Sequence, residues 1–232
     1  MEAMGTKTYF DSDVVLSGRV FRPIGSARAA VAVYPTIMNP TPAVETKARL
    51  LADAGFIVMM CDFYGATPTD FAEAVALSTE LRSASFRYRR RLYAGLNALR
   101  EEAGSLPLLA IGFCMGGQAV LELARDSADL AAVTSFHGLL DTHEPAVPGM
   151  VKSRILVCHG DADTLVPRSH VIAFWEEMDR AGADWHFHSY SGVPHGFTNP
   201  NPPPAGGPPA YDSSADRQSW SAMLSFFDEV LA

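Results

Sequence analysis

Short apolar runs separated by amphipathic stretches constrain this chain more than any other feature. AAVAVYP (29–35), FIVMMCDFY (56–64), LLAIGFC (108–114), AAVTSFHG (131–138) and RILVCHG (154–160) are almost continuously apolar. Runs of that length without polar alternation read as strands buried on both faces. Between them lie segments with helical period. Val44, Ala48, Leu51 and Leu50 group on one side of a stretch stopped by Gly55, as helices often are. The region 70–103 is the longest helical one, with Leu92, Leu96 and Leu99 at i, i+4, i+7 and Tyr93 beside them. Met115 to Arg125 follows, then a stripe of Val171, Phe174, Trp175 and Met178, and a terminal helix over SWSAMLSFFDEVL. WHFHSY (185–190) is the last strand, and KTYFDSDVVLSGRVFRP near the start alternates as a hairpin turning at Ser17-Gly18. Strand–helix alternation predicts an α/β fold, a mostly parallel twisted sheet with helices on both faces.

At ~150 residues per domain the 232-residue length allows one or two domains. The alternation continues without a linker, which favours a single domain over 1–232. The biased segment NPNPPPAGGPPA (199–210) cannot be helix or central strand and reads as a surface loop. Hydrophobic residues make up 48% and charged residues 19%, which excludes a disordered chain. With 18 Lys+Arg against 26 Asp+Glu the formal charge is −8, so the surface repels polyanions and no nucleic-acid partner is expected. MEAMGTKTYF has no apolar core for a signal peptide, and no stretch approaches the ~20 apolar residues of a membrane span. Cys61, Cys114 and Cys158 are odd in number and far apart, which argues against disulfides. Together these predict a cytoplasmic protein without a membrane partner.

The chemistry concentrates at three places. Gly112-Phe113-Cys114-Met115-Gly116-Gly117 ends an apolar strand and opens a helix, the setting of a G-x-S-x-G nucleophile elbow with Cys in place of Ser. Gly112 and Gly116 stand where side chains would collide in so tight a turn. The helix N-terminus favours thiolate over thiol, and the Met115 amide points to where an oxyanion would form. His159-Gly160-Asp161-Ala162-Asp163-Thr164-Leu165-Val166-Pro167 follows another strand, and Asp161 and Asp163 compete as the acid. Capping the helix near Ser169 or an Asx turn is the alternative role for each. His195, in Gly-Val-Pro-His-Gly-Phe, follows the last strand. Nucleophile, acid, histidine is the chain order of the α/β-hydrolase triad.

On GFCMGG, HGDADTLVP and HGF, and on a sheet pattern running from about residue 8 to the terminal helix, the chain resembles the dienelactone hydrolase family of α/β hydrolases. The resemblance implies a carboxylic ester hydrolase in which Cys114 is the nucleophile, His195 the general base and Asp163 the acid, bracketed by Gly160 and Val166. It implies oxyanion donors on the Met115 amide and on the loop after the first parallel strand, Tyr34-Pro35-Thr36-Ile37. There Thr36 is assigned, since Pro35 has no N–H. No cofactor or metal is implied, and the partner is a small ester, lactone or thioester, cleaved by a monomer or homodimer. The chain also departs from the family. YPTIMNP holds no counterpart of the Glu that activates the thiol in the namesake enzymes, and none of Arg82, Arg87, Arg89, Arg90 and Arg91 aligns with their substrate-binding arginine; a solvated helix face is the default for these.

Other residues carry weaker readings. Tyr34, Phe113 and His137 are candidates to line the pocket, with core packing the alternative for the first two and a structural role for His137. His159 is expected to hold the acid loop by hydrogen bonds. His186 and His188 share a strand face, but no third metal ligand stands at a recognisable spacing. Gly138–Ser153 is too short for a cap domain, and the Pro-rich stretch after His195 is expected to overhang the site. A thiol-dependent redox or binding protein with little turnover is the second functional reading.

Overall fold

The computed structural model describes residues 4–201 and 210–232. Most of the Pro-rich stretch, and with it the expected overhang, lies outside the described residues. Eight strands form one open sheet in the order β1-β2-β4-β3-β5-β6-β7-β8. The chain groups into two compact units, Met1–Ile111 and Gly112–Ala232, and β5 (Leu108–Phe113), buried throughout, carries the chain from one into the other.

In the first unit, β1 (Met4–Asp11) and β2 (Val14–Phe21) form the hairpin, paired from Met4↔Phe21 to Asp11↔Val14. The expected turn at Ser17-Gly18 is therefore wrong. The chain reverses at Ser12-Asp13, where Ser12 takes a φ of 55°. Gly18 lies mid-strand because a Cβ there would come within 3.0 Å of Met59, so this glycine marks a close approach and not a turn. β2 pairs antiparallel with β4 (Phe56–Met60), and β4 pairs parallel with β3 (Ala29–Tyr34). Between β3 and β4, α1 (Pro42–Asp53) is capped by Thr41, whose hydroxyl accepts from Val44 N–H. It buries Val44, Ala48 and Leu51. Leu50 is 43% exposed, since it stands about 100° round the helix from Leu51 and off that stripe.

The helical region 70–103 divides into α2 (Phe71–Arg82), capped by Asp70, and α3 (Ser85–Ala103). Leu92, Leu96 and Leu99 are buried, as their spacing predicts. Two of the five arginines do more than face solvent, Arg91 buried and Arg90 exposed but ion-paired. Arg90 and Arg91 both grip the buried Asp11 carboxylate, at 2.5 and 2.7 Å, and fasten α3 to the hairpin. No helix among the described residues is long and apolar enough to cross a membrane.

The second unit continues with α4 (Met115–Arg125), β6 (Ala132–Phe136), β7 (Arg154–Gly160), α5 (Arg168–Ala181), β8 (Trp185–Tyr190) and α6 (Ser213–Val230). No helix or strand lies between β6 and β7, so there is no cap domain at that point. β6, β7 and β8 are parallel, with Phe136 opposite Cys158 and Gly160 opposite Tyr190. That register puts the carboxyl ends of the three strands side by side, where open α/β sheets place their ligands. Trp175 on α5 is 38% exposed, apart from the buried stripe, and stacks on Trp185 at 6.0 Å.

α4 and α5 are joined by a buried ion pair. Arg125 meets Glu177 through two bonds of 2.8 and 2.9 Å and also reaches Glu122 and the Leu140 carbonyl. Removing one partner strands the other charge in the interior. Glu177→Ala should therefore cost about 3 kcal/mol in urea unfolding.

Candidate active site

The strand β5 ends at Phe113 and α4 begins at Met115, leaving Cys114 alone in the turn with φ 57° and ψ −116°. A non-glycine residue at positive φ stores strain and persists only where its surroundings hold it. Here the surroundings are glycines. A Cβ on Gly112 would fall 1.8 Å from the Gly116 carbonyl oxygen, and one on Gly117 would fall 2.6 Å from Gly138 Cα. Thus the elbow closes backbone on backbone, both across its own turn and against the segment after β6. The Cys114 side chain is partly exposed, whereas Cys61 and Cys158 are buried. Burial pushes both of those thiols up to about 12.

Asp163 and His195 meet on the loops after β7 and β8. Asp163 Oδ2 lies 2.7 Å from His195 Nδ1. Its other oxygen accepts from the Leu165 and Val166 amides, an Asx-type turn that fixes the carboxylate. Asp161 instead pairs with Arg168 through bonds of 3.0 and 2.7 Å. Neither caps α5, whose N-cap is Pro167. Burial works to raise the Asp163 carboxyl, but the histidine outweighs it and holds the group below the usual aspartate range. Burial works to lower His195, but Asp163 and Cys114 outweigh it, and the imidazole rises to about 10. His195 Nε2 is buried and has no hydrogen-bond partner among the described residues.

His137 belongs to this cluster in a way its sequence context does not reveal. It is buried, with φ 40°. Its Nδ1 accepts from the Cys114 amide at 3.1 Å, and its Nε2 lies 2.8 Å from Thr198 Oγ1. The ring edge faces His195 at 5.1 Å and Phe197 at 5.2 Å. Burial, and then His195, push it well below the usual histidine range. The signal available in the sequence is its place directly after the strand that neighbours the elbow.

The remaining candidates are dispersed. Phe113 is buried and stacks on Phe136 at 5.0 Å. In the first unit, Tyr34 is buried, and its hydroxyl donates to the Leu92 carbonyl at 2.6 Å. Thr36 forms a bridge with Asn39, while Asn39 donates to Asp62, a buried carboxylate that also accepts from the Ser17, Tyr64 and Gly65 amides. His159 packs against Phe187 at 5.6 Å, and its Nδ1 makes no hydrogen bond. No hydrogen bond from that nitrogen holds the acid loop. His186 and His188 are exposed on β8, and no group of three metal-ligating side chains occurs among the described residues.

An open, mostly parallel eight-stranded sheet flanked by helices, with these loops at its carboxyl edge, is the fold of an α/β hydrolase. The family model described as dienelactone hydrolase family matches residues 16–231. The chain belongs to that family. It is 33% identical to the dienelactone hydrolase-like promiscuous phosphotriesterase P91 from metagenomic libraries, with TM-score 0.90 over 99% of this chain and 98% of that one. It is 39% identical over 153 residues to the uncharacterized protein K02A2.1 of Caenorhabditis elegans, covering 63% of this chain and 96% of that protein. A carboxymethylenebutenolidase homolog of Mus musculus is 24% identical over 181 residues, covering 76% of this chain and 73% of that protein.

Two outcomes follow. Under native conditions iodoacetamide should alkylate Cys114 and leave Cys61 and Cys158 unmodified, as read by peptide mass spectrometry. In addition, the raised His195 contributes stability that is complete below its ordinary value of 6.5 and is lost as pH rises through about 10. The stability deficit of His195→Gln in urea should therefore be largest near pH 6 and shrink as the pH approaches 10.

Proposed function

We propose that the protein is a single-domain cytoplasmic hydrolase of small carboxylic esters or lactones, working through Cys114, His195 and Asp163. The observation that carries this is the 2.7 Å contact of Asp163 with His195, in a cluster where Cys114 acts on the same imidazole. In the resting pair the Cys114 proton rests on His195 Nε2, as expected of an imidazole raised to about 10. In the first half-reaction the thiolate attacks the carbonyl carbon, and the oxygen becomes an oxyanion received by the Met115 amide. Such a donor contributes roughly 3–4 kcal/mol in related hydrolases. Collapse breaks the carbon–oxygen bond, and the leaving alkoxide takes its proton from His195. In the second half-reaction His195 deprotonates a water. The resulting hydroxide attacks the thioester, and the carboxylic acid leaves with Cys114 as thiolate, restoring its pair with the His195 imidazolium.

Asp163 keeps the proton of neutral His195 on Nδ1 and stabilises the imidazolium. Because YPTIMNP holds no acid, thiol activation falls to His195 alone in this scheme. The names of relatives support the substrate class. One is a carboxymethylenebutenolidase homolog, and a probable 2-oxo-3-(5-oxofuran-2-ylidene)propanoate lactonase of Bradyrhizobium is 26% identical over 190 residues. The likeness to P91 adds phosphotriesters as a second substrate class.

The test is hydrolysis of p-nitrophenyl esters. Cys114→Ala and His195→Ala should abolish turnover, and Asp163→Asn should lower kcat by roughly 10⁴-fold, as loss of tautomer control does in serine triads. Activity indifferent to the cysteine or the histidine would overturn the assignment in favour of a thiol with a redox or binding role. A panel of esters, lactones, thioesters and phosphotriesters then orders the substrate classes by kcat/KM.

A further inference from the structure

We infer that His137 is a positioning residue for the nucleophile, holding the Cys114 elbow from the β6 side and tying it to the loop that carries His195. The inference rests on the reading of Cys114 as nucleophile. Four observations meet at this ring. The Cys114 amide donates both to the Phe136 carbonyl and to His137 Nδ1, each at 3.1 Å. With Nδ1 accepting, the ring proton sits on Nε2 and is donated to Thr198 Oγ1 at 2.8 Å, three residues beyond His195. The geometry therefore selects one neutral tautomer, and that tautomer bonds to the elbow on one edge and to the histidine loop on the other.

Backbone strain marks the same pair. Five described non-glycine residues have positive φ: Ser12, Asn39, Cys114, Ser127 and His137. Cys114 and His137 are joined by a hydrogen bond, so the two strained turns brace each other. The glycines seal the arrangement, since a Cβ on Gly138 would fall 2.6 Å from the Gly117 carbonyl carbon. Strain that clusters in this way is characteristic of sites held for function.

The charge state matters as much as the geometry. A titratable group that faces His137 is His195, ring to ring at 5.1 Å, while Cys114 meets it through its backbone amide. Phe113 and Phe197 supply apolar walls. A second cation at that distance would oppose the imidazolium that His195 must become, whereas a neutral ring permits it.

The test compares His137→Gly with His137→Asn. Glycine accepts the positive φ but removes the ring. Asparagine also tolerates that conformation and places a side-chain acceptor near the Nδ1 position. Three quantities are read: kcat and KM for p-nitrophenyl acetate, the pH profile of Cys114 alkylation by iodoacetamide, and Tm. His137→Gly should lower kcat by about tenfold to a hundredfold with little change in KM, as misplacement of a reacting group does, and should move the alkylation midpoint to higher pH. His137→Asn should restore most of both. Should His137→Gly fail to fold, Thr198→Val serves instead. It removes the acceptor of Nε2–H and should shift kcat and the alkylation profile in the same direction. A lowered Tm with kcat and profile intact in these variants, or equal impairment of the Gly and Asn variants, would overturn the inference. If Cys114→Ala retains turnover, the nucleophile reading fails with it. If turnover needs Cys114 but ignores His137, only the positioning role falls.

Discussion

The contact on which the second unit depends is between two stretches of backbone. Gly112, next to last in β5, lies against the carbonyl of Gly116 in the first turn of α4. A single methyl group at Gly112 would occupy the space of that oxygen, so the turn exists only because the side chain is a hydrogen atom. The tightness of the turn forces Cys114 into a left-handed conformation and sets its sulfur at the N-terminus of a helix. The same economy recurs between Gly117 and Gly138, which lets the segment after β6 approach closely enough for His137 to reach the Cys114 amide.

Charge is organised around that turn in a graded way. Asp163 is fully buried but pinned by two amides and an imidazole, which together outweigh the cost of desolvation. His195 sits between an anionic carboxylate and a thiol, and its affinity for a proton rises accordingly. His137, buried among aromatic rings with no carboxylate against it, goes the other way. Two histidines with ring centroids 5.1 Å apart are thus driven in opposite directions by their neighbours, which is how one site holds one cation and one neutral ring at a single pH. Further out, Arg125 and Glu177 hold the elbow helix against α5.

The fold was legible because its strands are buried on both faces, and burial on both faces leaves a continuous apolar run. The helices were legible where one stripe is buried, as with Leu92, Leu96 and Leu99. The errors have local causes. Gly18 looked like a turn because glycine marks both turns and close approaches, and only the neighbouring Met59 distinguishes them. Leu50 and Trp175 looked like core because an apolar side chain near a stripe does not state which way it points. The arginine run looked like a solvated face, yet the partner of Arg90 and Arg91, Asp11, lies about eighty residues away in sequence.

The candidate site divides along the same line. The sequence alone determined the strand-to-helix elbow at Cys114, the order of Cys114, the acid loop and His195, and the family, because each depends on residue type within a short window. Tertiary structure decided between Asp161 and Asp163, since both stand in the same loop and only one reaches a histidine thirty-two positions away. It also decided that His137 bonds to the Cys114 amide, twenty-three positions back. No local pattern encodes such a contact; it arises because parallel strands place the ends of distant segments side by side.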